Sequence, residues 1–477
     1  MKRQVVIGLE IHLQLKTKTK LFCGCSSDYI GATPNTNVCP ICLAVPGTLP
    51  VINDHAVDLA VKMGLGLHCD IQDNTRFHRK HYFYADLPKA YQITQYEHAI
   101  AQGGYLDVIV DGKPKRVHLD HLHLEEDAGK LVHEHGDTYV DYNRGGVPLI
   151  EIVSEPDIRS IAEAREYVEK LQMIMKHIGV SDCKMQEGSL RCDVNISVRP
   201  EGSEEFGTRT EIKNMNSFTN MEKAMAYEYD RQIDLLESGG KVTQETLRWN
   251  PDEGITTPMR GKEDAHDYRY FREPDLVTIY TTDQEIEAIR QELPELPDAR
   301  IARYQEEFGL PAADAQLLVK YRKIAEYFEA AGEGLSNKKT VANFILGQIF
   351  RTLVTDEEKE NGAVAIPPEY LHDLAKLLED GKIKMNLAKT TLDKMLETKK
   401  PCTDFISEQD MGDIDEDTLR SICQSVVEQN PKAVADFKGG KDKAVKALIG
   451  QVMKQTRGKA DGRKAEALMV EMMNAMD

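Results

Sequence analysis

The chain has 477 residues, too long for a single core, because cores stop growing beyond roughly 250–300 residues; two to four domains are expected. Its 41% hydrophobic and 29% charged residues are ordinary soluble globular composition, and no run of about 18 apolar residues marks a membrane helix. The net charge of −19 argues against a general nucleic-acid binder, but it is unevenly spread. From 430 to 477, ten Lys/Arg face six Asp/Glu, a basic tail on an acidic body that suits a local polyanion contact.

The N-terminus, MKRQVVIGLEIHLQLK, mixes charge with alternation inside ten residues. That is an opening strand and no secretory leader, so the nine Cys are expected in a reducing cytoplasm, where a cysteine cluster means metal more often than disulfide. In GLEIHLQL, Glu10, His12 and Gln14 face one way and Leu9, Ile11, Leu13 and Leu15 the other. Next come Cys23-Gly-Cys25 and Cys39-Pro-Ile-Cys42, two close pairs separated by a loop. Four thiolates in that order can surround Zn²⁺ tetrahedrally, although C-x-C is tighter than the usual C-x₂-C. A closed four-thiolate site leaves no open position, so this zinc would hold a loop together and do no chemistry. The other Cys (Cys69, Cys183, Cys192, Cys402 and Cys423) are scattered and read as core residues.

Period-two alternation recurs in YLDVIVDG, RVHLDHLHLEED, PLIEIVSEPD, LRCDVNISVRP and TRTEIKNMNSF, and helical spacing at 161–178 and 221–236. The strands follow one another without regular strand–helix alternation, which favours an antiparallel α+β domain over a doubly wound sheet. In DHLHLEED, His121, His123 and Glu125 oppose Leu122 and Leu124. In LRCDVNISV, Arg191, Asp193, Asn195 and Ser197 oppose Cys192, Val194 and Ile196, and Arg209, Glu211 and Lys213 share a face. One such strand reads as a solvated sheet face; four offering imidazole, carboxylate, amide and guanidinium suit Mg²⁺ or Mn²⁺ beside phosphates. Arg191, Arg209 and Lys213 are the groups to hold ATP phosphates. Glu151, in PLIEIVSEP, has apolar neighbours on both faces; a buried carboxylate there needs an Arg or a metal.

In 259–276, Tyr268, Tyr270 and Phe271 alternate with Arg269 and Arg272, which reads either as a nucleotide-stacking or pocket-closing segment or as an edge strand. The prolines of 292–298 (ELPELPD) mark a boundary. Beyond it 299–400 reads as helices only, broken at 309–311, 332–335 and 366–368, and a weaker boundary lies at 401–415. There is no G-x-x-x-x-G-K-[ST] loop, no strand–G-x-G-x-x-G–helix unit and no amidase signature. A nucleotide would have to be bound through metal and side chains, and an attacking amine would have to come from elsewhere.

These residues resemble a known family. VIGLEIHLQL, the F-C-x-C…N-x-x-V-C-P-x-C-L-x-x-P-G-x-L-P block, KHYFYADLPKAYQITQY, LHLEEDAGK, YNRGGVPLIEIVSEPD, MQEGSLRCDVNIS, EIKNMNSF and DYRYFREPDL occur in the order seen in the B subunits of bacterial aspartyl/glutamyl-tRNA amidotransferases, over essentially the whole chain. The resemblance implies a glutamine-synthetase-like cradle (1–293), a helical domain (294–405) and a small tail domain contacting tRNA (406–477). It implies Mg²⁺ on His12, Glu125 and Glu151, with Glu10, Asp193, Asn195, Glu211 and Lys213 around metal and nucleotide. It also implies a structural zinc on Cys23, Cys25, Cys39 and Cys42, found in part of the family. The implied reaction is ATP-dependent phosphorylation of the side-chain carboxylate of Glu-tRNA(Gln) or Asp-tRNA(Asn), then amidation by ammonia. A glutaminase A subunit would release that ammonia and a small C subunit would complete a cytoplasmic heterotrimer. Two other readings stay open on residues alone: a non-enzymatic tRNA-binding scaffold, and an ATP-dependent amide ligase acting on free glutamate.

Overall fold

In the computed structural model, which describes residues 2–259, 268–407, 411–412, 414–438, 443–456 and 460–475, the chain divides into two compact units, Met1–Leu296 and Pro297–Asp477. The division falls in the proline-containing stretch 292–298. The first unit is built on one large sheet. Its principal strands are β1 (Arg3–Gln14), β2 (His78–His81), β3 (Tyr91–Thr94), β4 (Lys113–Glu126), β5 (Pro148–Ser154), β6 (Leu190–Pro200), β7 (Thr210–Lys213) and β8 (Thr246–Asn250). They lie in the order β8-β7-β6-β1-β5-β4-β3-β2. The N-terminal strand is thus central, paired antiparallel with β6 on one side and β5 on the other.

Alternation along these strands puts their apolar residues on one face. Leu9, Ile11 and Leu13 of β1, Leu122 and Leu124 of β4, Ile150 and Ile152 of β5, and Cys192, Val194 and Ile196 of β6 are all buried in one core. Helices α1 (Asp54–Gly66), α2 (Ile161–Ile178) and α3 (Phe218–Glu237) contribute to the same core. Helix α2 spans the predicted 161–178. Ser160 caps its start by accepting from the Glu163 amide, and Gly179 ends it at φ 75°. Its buried Ala164, Tyr167, Val168, Leu171, Met175 and Ile178 recur at three- to four-residue spacing.

The sheet departs from the purely antiparallel expectation at one pair: β7 and β8 are parallel. Parallel neighbours need a crossover, and α3 lies between them in sequence to supply it. We expect Ile152→Ala, at a fully buried position between Ile11 and Leu122, to cost about 2–5 kcal/mol. A lowered urea midpoint with an unchanged m-value is the reading that checks it.

The second unit is helical among its described residues. The predicted breaks are where helices meet: Pro297–Glu306 gives way to Ala312–Val319 around Gly309, and Pro368 opens Pro368–Glu379. No local pattern announces one turn, Ile345–Ile349, which is a π-helix. Its Gln348 turns inward to donate to the Lys389 carbonyl and the Asp393 carboxylate. This unit holds two separate cores, one from Tyr304 to Ile406 and one from Leu419 to Met473. Among the described residues no helix is long and apolar enough to cross a membrane.

Candidate active site and metal centre

The face of the sheet opposite the helices is polar, and strand register decides which polar groups meet. In an antiparallel pair directly opposed residues share a face at close range. His123 of β4 opposes Glu151 of β5, Glu151 opposes His12 of β1, and His12 opposes Arg191 of β6. One row across four strands therefore reads His, Glu, His, Arg. The next row sets Glu10 opposite Asp193, and the one after sets Asn195 opposite Glu211.

Distances follow from the register. His12 Nε2 lies 3.3 Å from Glu151 Oε2 and 3.7 Å from Glu125 Oε1. His12, Glu125 and Glu151 each place a ligand atom within 4.8 Å of the others. The partner of Glu151 is thus imidazole on both sides, with His123 Nε2 at 3.2 Å, and the alternative of an Arg partner is not what the structure has. Burial disfavours the Glu151 carboxylate, but His12 and His123 hold it well below the usual range. The two imidazoles rise in return. His123 stands at about 10, because Glu151 and Glu125 outweigh the burial that would lower it. The two imidazoles here flank the carboxylate from both sides, where a divalent cation would bring the counter-charge in a hard-ligand site.

A second acidic group lies on the same face. Glu10, Asp193 and Glu211 also come within 4.8 Å of one another. Glu10 is pushed up by burial first and then by the negative charge of Glu151 and Glu211, which marks a place short of positive charge. Asn195 donates to Glu10 Oε1 at 2.8 Å and fixes that carboxylate, while its own Oδ1 is buried without a partner. Lys213 binds Asp193 and lies 3.0 Å from Glu211.

The three predicted phosphate-binding cations fare differently. Lys213 is engaged by the two carboxylates just named. Arg191 donates to Asp127 at 2.9 Å, and that buried carboxylate also accepts from Gln14. Arg209 is exposed and has no ion-pair partner among the described residues. It lines a cavity of about 420 Å³ together with Gly8, Glu10, Pro156, Asn195 and Phe206.

Two further residues belong to the site. Strand alternation puts His123 on the correct face but gives it no role; in the structure it grips Glu151 and meets His121 Nε2 at 3.0 Å on its other nitrogen. Lys80 is the second. Burial alone would lower its ammonium, but Tyr270, Glu125 and Glu151 more than offset that and raise it. Its only trace in the sequence is HRKH at 78–81, a run of basic residues with no acid beside it. The aromatic motif covers this lysine: Lys80 Nζ sits 4.9 Å from the Tyr268 ring centre, and Tyr270 stacks on Tyr96 at 4.1 Å. Arg79 clamps Glu273 through two hydrogen bonds of 2.6 and 2.9 Å and anchors the segment. Phe271–Arg272 pairs with β2, so the edge-strand reading holds for the described part of the motif; residues 260–267 lie outside the described residues.

The four cysteines gather as well. Cys23, Cys25, Cys39 and Cys42 place their sulfurs within 4.8 Å of one another, none in a disulfide. A tetrahedron with Zn–S bonds of about 2.3 Å has edges of about 3.8 Å, and Cys39 and Cys42 are 3.9 Å apart. The Cys39 amide donates to Cys42 Sγ at 3.1 Å, which holds the two cysteines in one tight turn. The Cys42 thiol is pulled down to about 4, first by the hydrogen bond with Cys23, then, against burial, by the Cys39 amide and the Lys20 ammonium. Donor type, number and spacing all fit zinc.

Residues 5–287 match the GatB/GatE catalytic domain, and residues 326–473 match a GatB domain. The B subunit of the aspartyl/glutamyl-tRNA(Asn/Gln) amidotransferase of Caldanaerobacter subterraneus subsp. tengcongensis is 50% identical over 476 residues, covering 99% of this chain and all of that protein. The corresponding B subunits of Thermoanaerobacter sp. (strain X514) and Brevibacillus brevis are 49% and 48% identical, each over 99% or more of this chain and their own full length. With a fold, a polar sheet face and motifs that agree from end to end, the chain belongs to the family of aspartyl/glutamyl-tRNA amidotransferase B subunits.

Proposed function

We propose that this chain activates a misacylated tRNA: it uses ATP to phosphorylate the side-chain carboxylate of Glu-tRNA(Gln) or Asp-tRNA(Asn), and ammonia from a glutaminase A subunit then displaces the phosphate. A small C subunit completes the assembly. The observation that carries the reading is the convergence of His12, Glu125 and Glu151 with Glu10, Asp193 and Glu211 on one face of a sheet. Phosphoryl transfer asks a protein mainly for positioning and charge neutralisation.

A divalent cation held by His12, Glu125 and Glu151 would neutralise phosphate oxygens and hold them in line. Asn195 keeps the Glu10 carboxylate turned toward the site. Arg209, at the mouth of the cavity beside Glu10, is the group best placed to meet phosphate, while Arg191 and Lys213 keep the acidic groups in register. Lys80 brings a positive charge to the side of Glu125 and Glu151, against the ring of Tyr268. Cys23, Cys25, Cys39 and Cys42 would hold zinc as a loop clasp.

The test is transfer of ³²P from [γ-³²P]ATP to the acyl group of Glu-tRNA in the assembled complex, present in the wild type and lost in Glu125→Ala. A scaffold without chemistry gives no transfer in either. Ammonia incorporation into free glutamate without tRNA supports the amide-ligase reading instead.

The basic tail bears on tRNA. The core from Leu419 to Met473 draws on Glu416–Gln429 as well as on later helices, so a clean deletion begins at 415 and not at 430. Removing 415–477 is expected to raise KM for tRNA about tenfold or more, the order set by losing several phosphate contacts, and to leave glutamine hydrolysis intact. An unchanged KM makes the tail a solvated face only.

A further inference from the structure

Lys20 has no solvent exposure at all, which is rare for lysine and tolerated only when the ammonium finds an anion. Among the described residues no carboxylate lies within ion-pair distance of it. Glu126, which lines the same cavity, is taken by Lys89 at 2.5 Å and by the Ile93 amide at 2.9 Å. Lys20 Nζ instead points to Cys42 Sγ at 3.7 Å and donates to the Tyr142 carbonyl at 3.2 Å. A neutral carbonyl does not compensate a buried charge; of the two groups Lys20 Nζ bonds, only the sulfur can carry a negative one. The backbone makes the same connection: the Lys20 amide donates to the Cys25 carbonyl at 2.9 Å, and the Leu21 amide to the Gly146 carbonyl at 2.8 Å. Gly146, at φ 85°, passes so close that a Cβ there would sit 3.5 Å from the Lys20 stem and 3.9 Å from Cys42 Cβ. Lysine, knuckle and glycine turn are thus packed as one piece.

Four thiolates around a divalent ion carry two surplus negative charges. In a buried loop that surplus needs a nearby cation or hydrogen-bond donors, and groups outside the ligand shell set how tightly such a site holds its metal. We infer that Lys20 is a built-in counter-ion of the four-cysteine zinc site: its ammonium donates an N–H···S hydrogen bond to the Cys42 thiolate and stabilises the metal-loaded loop. The inference rests on the zinc reading given above. It assigns Lys20 no part in the chemistry on the sheet, so its role is positioning and charge compensation.

The assignment predicts unequal effects on the two forms of the protein, which a purely packing role does not. In the zinc-loaded full chain, Lys20→Met should release zinc to a chromogenic chelator at least about tenfold faster than wild type, because partners behind the ligands typically carry 10–100-fold of metal affinity. In the chelator-stripped chain the same substitution costs the counter-charge of one thiolate and no metal, so Tm should fall less than in the loaded form. The Tm gap between loaded and stripped forms therefore narrows. Wild-type release rates, or an equal fall of both Tm values, overturn the inference. Lysine-¹⁵N-labelled wild type gives a reading that does not depend on the variant's folding: a slowly exchanging ammonium signal that moves when zinc is replaced by cadmium. No metal-sensitive ammonium overturns it too. A wild-type chain that holds no zinc overturns the cluster reading and this inference together, whereas normal zinc with an insensitive Lys20→Met removes only the lysine assignment.

Discussion

Glu151→Gln should lower ATP-dependent amidation of Glu-tRNA by about a hundred- to a thousandfold while the partner's glutamine hydrolysis stays near wild type. The substitution keeps the shape of the side chain and removes one charge. That charge stands between His12 and His123, 3.3 and 3.2 Å away, and shares its face with Glu125. The amide offers a weaker ligand atom, and removing one preorganised group that meets developing phosphate charge commonly costs 10²–10³ in rate. Mn²⁺ binding read by electron paramagnetic resonance should weaken in parallel. Full amidation activity with normal Mn²⁺ affinity in this variant would sink the cradle as the phosphorylating site.

Cys39→Ser carries the second large effect. Cys39 is a member of the cluster, and its amide also donates to Cys42 Sγ at 3.1 Å, so serine keeps the turn and loses a thiolate. Three thiolates and a hydroxyl hold zinc poorly, and structural zinc is folding free energy for the loop it closes. We expect less than stoichiometric zinc by mass spectrometry under native conditions and a Tm lower by on the order of 10 °C. Stoichiometric zinc in Cys39→Ser would remove the cluster assignment. Lost zinc with an unchanged Tm would mean that the loop is held by its backbone contacts, such as the bonds from the Asn53 and Lys20 amides to the Leu21 and Cys25 carbonyls.

Much of the site is legible before any fold is known, for a specific reason. Strand alternation has period two, so GLEIHLQL and LRCDVNISV announce which residues share a face without any knowledge of neighbours. The four cysteines announce themselves by type and spacing. What alternation cannot give is register: nothing local says that His12 lies opposite Glu151 or that Glu151 lies opposite His123, because those pairs join residues that are distant in the chain. For the same reason Glu151 can be read as buried but not assigned its partners. Lys80 escapes because its meaning comes from Glu125 and Glu151, brought beside it by β3, β4 and β5. Lys20 escapes because a lysine in a loop reads as solvated until packing removes the solvent.

Short-range pattern and motif order along the chain were enough for the strand faces, the helix at 161–178, the breaks in the helical half, the thiol set and the kinship with amidotransferase B subunits. Folding was needed for the row of imidazole and carboxylate across four strands, the parallel pair closed by α3, the separation of exposed Arg209 from engaged Arg191, and the buried ammonium at Cys42. Each of those depends on which distant segments share a dielectric environment. Burial and charge pairing are properties of neighbours in space, which a linear pattern does not encode.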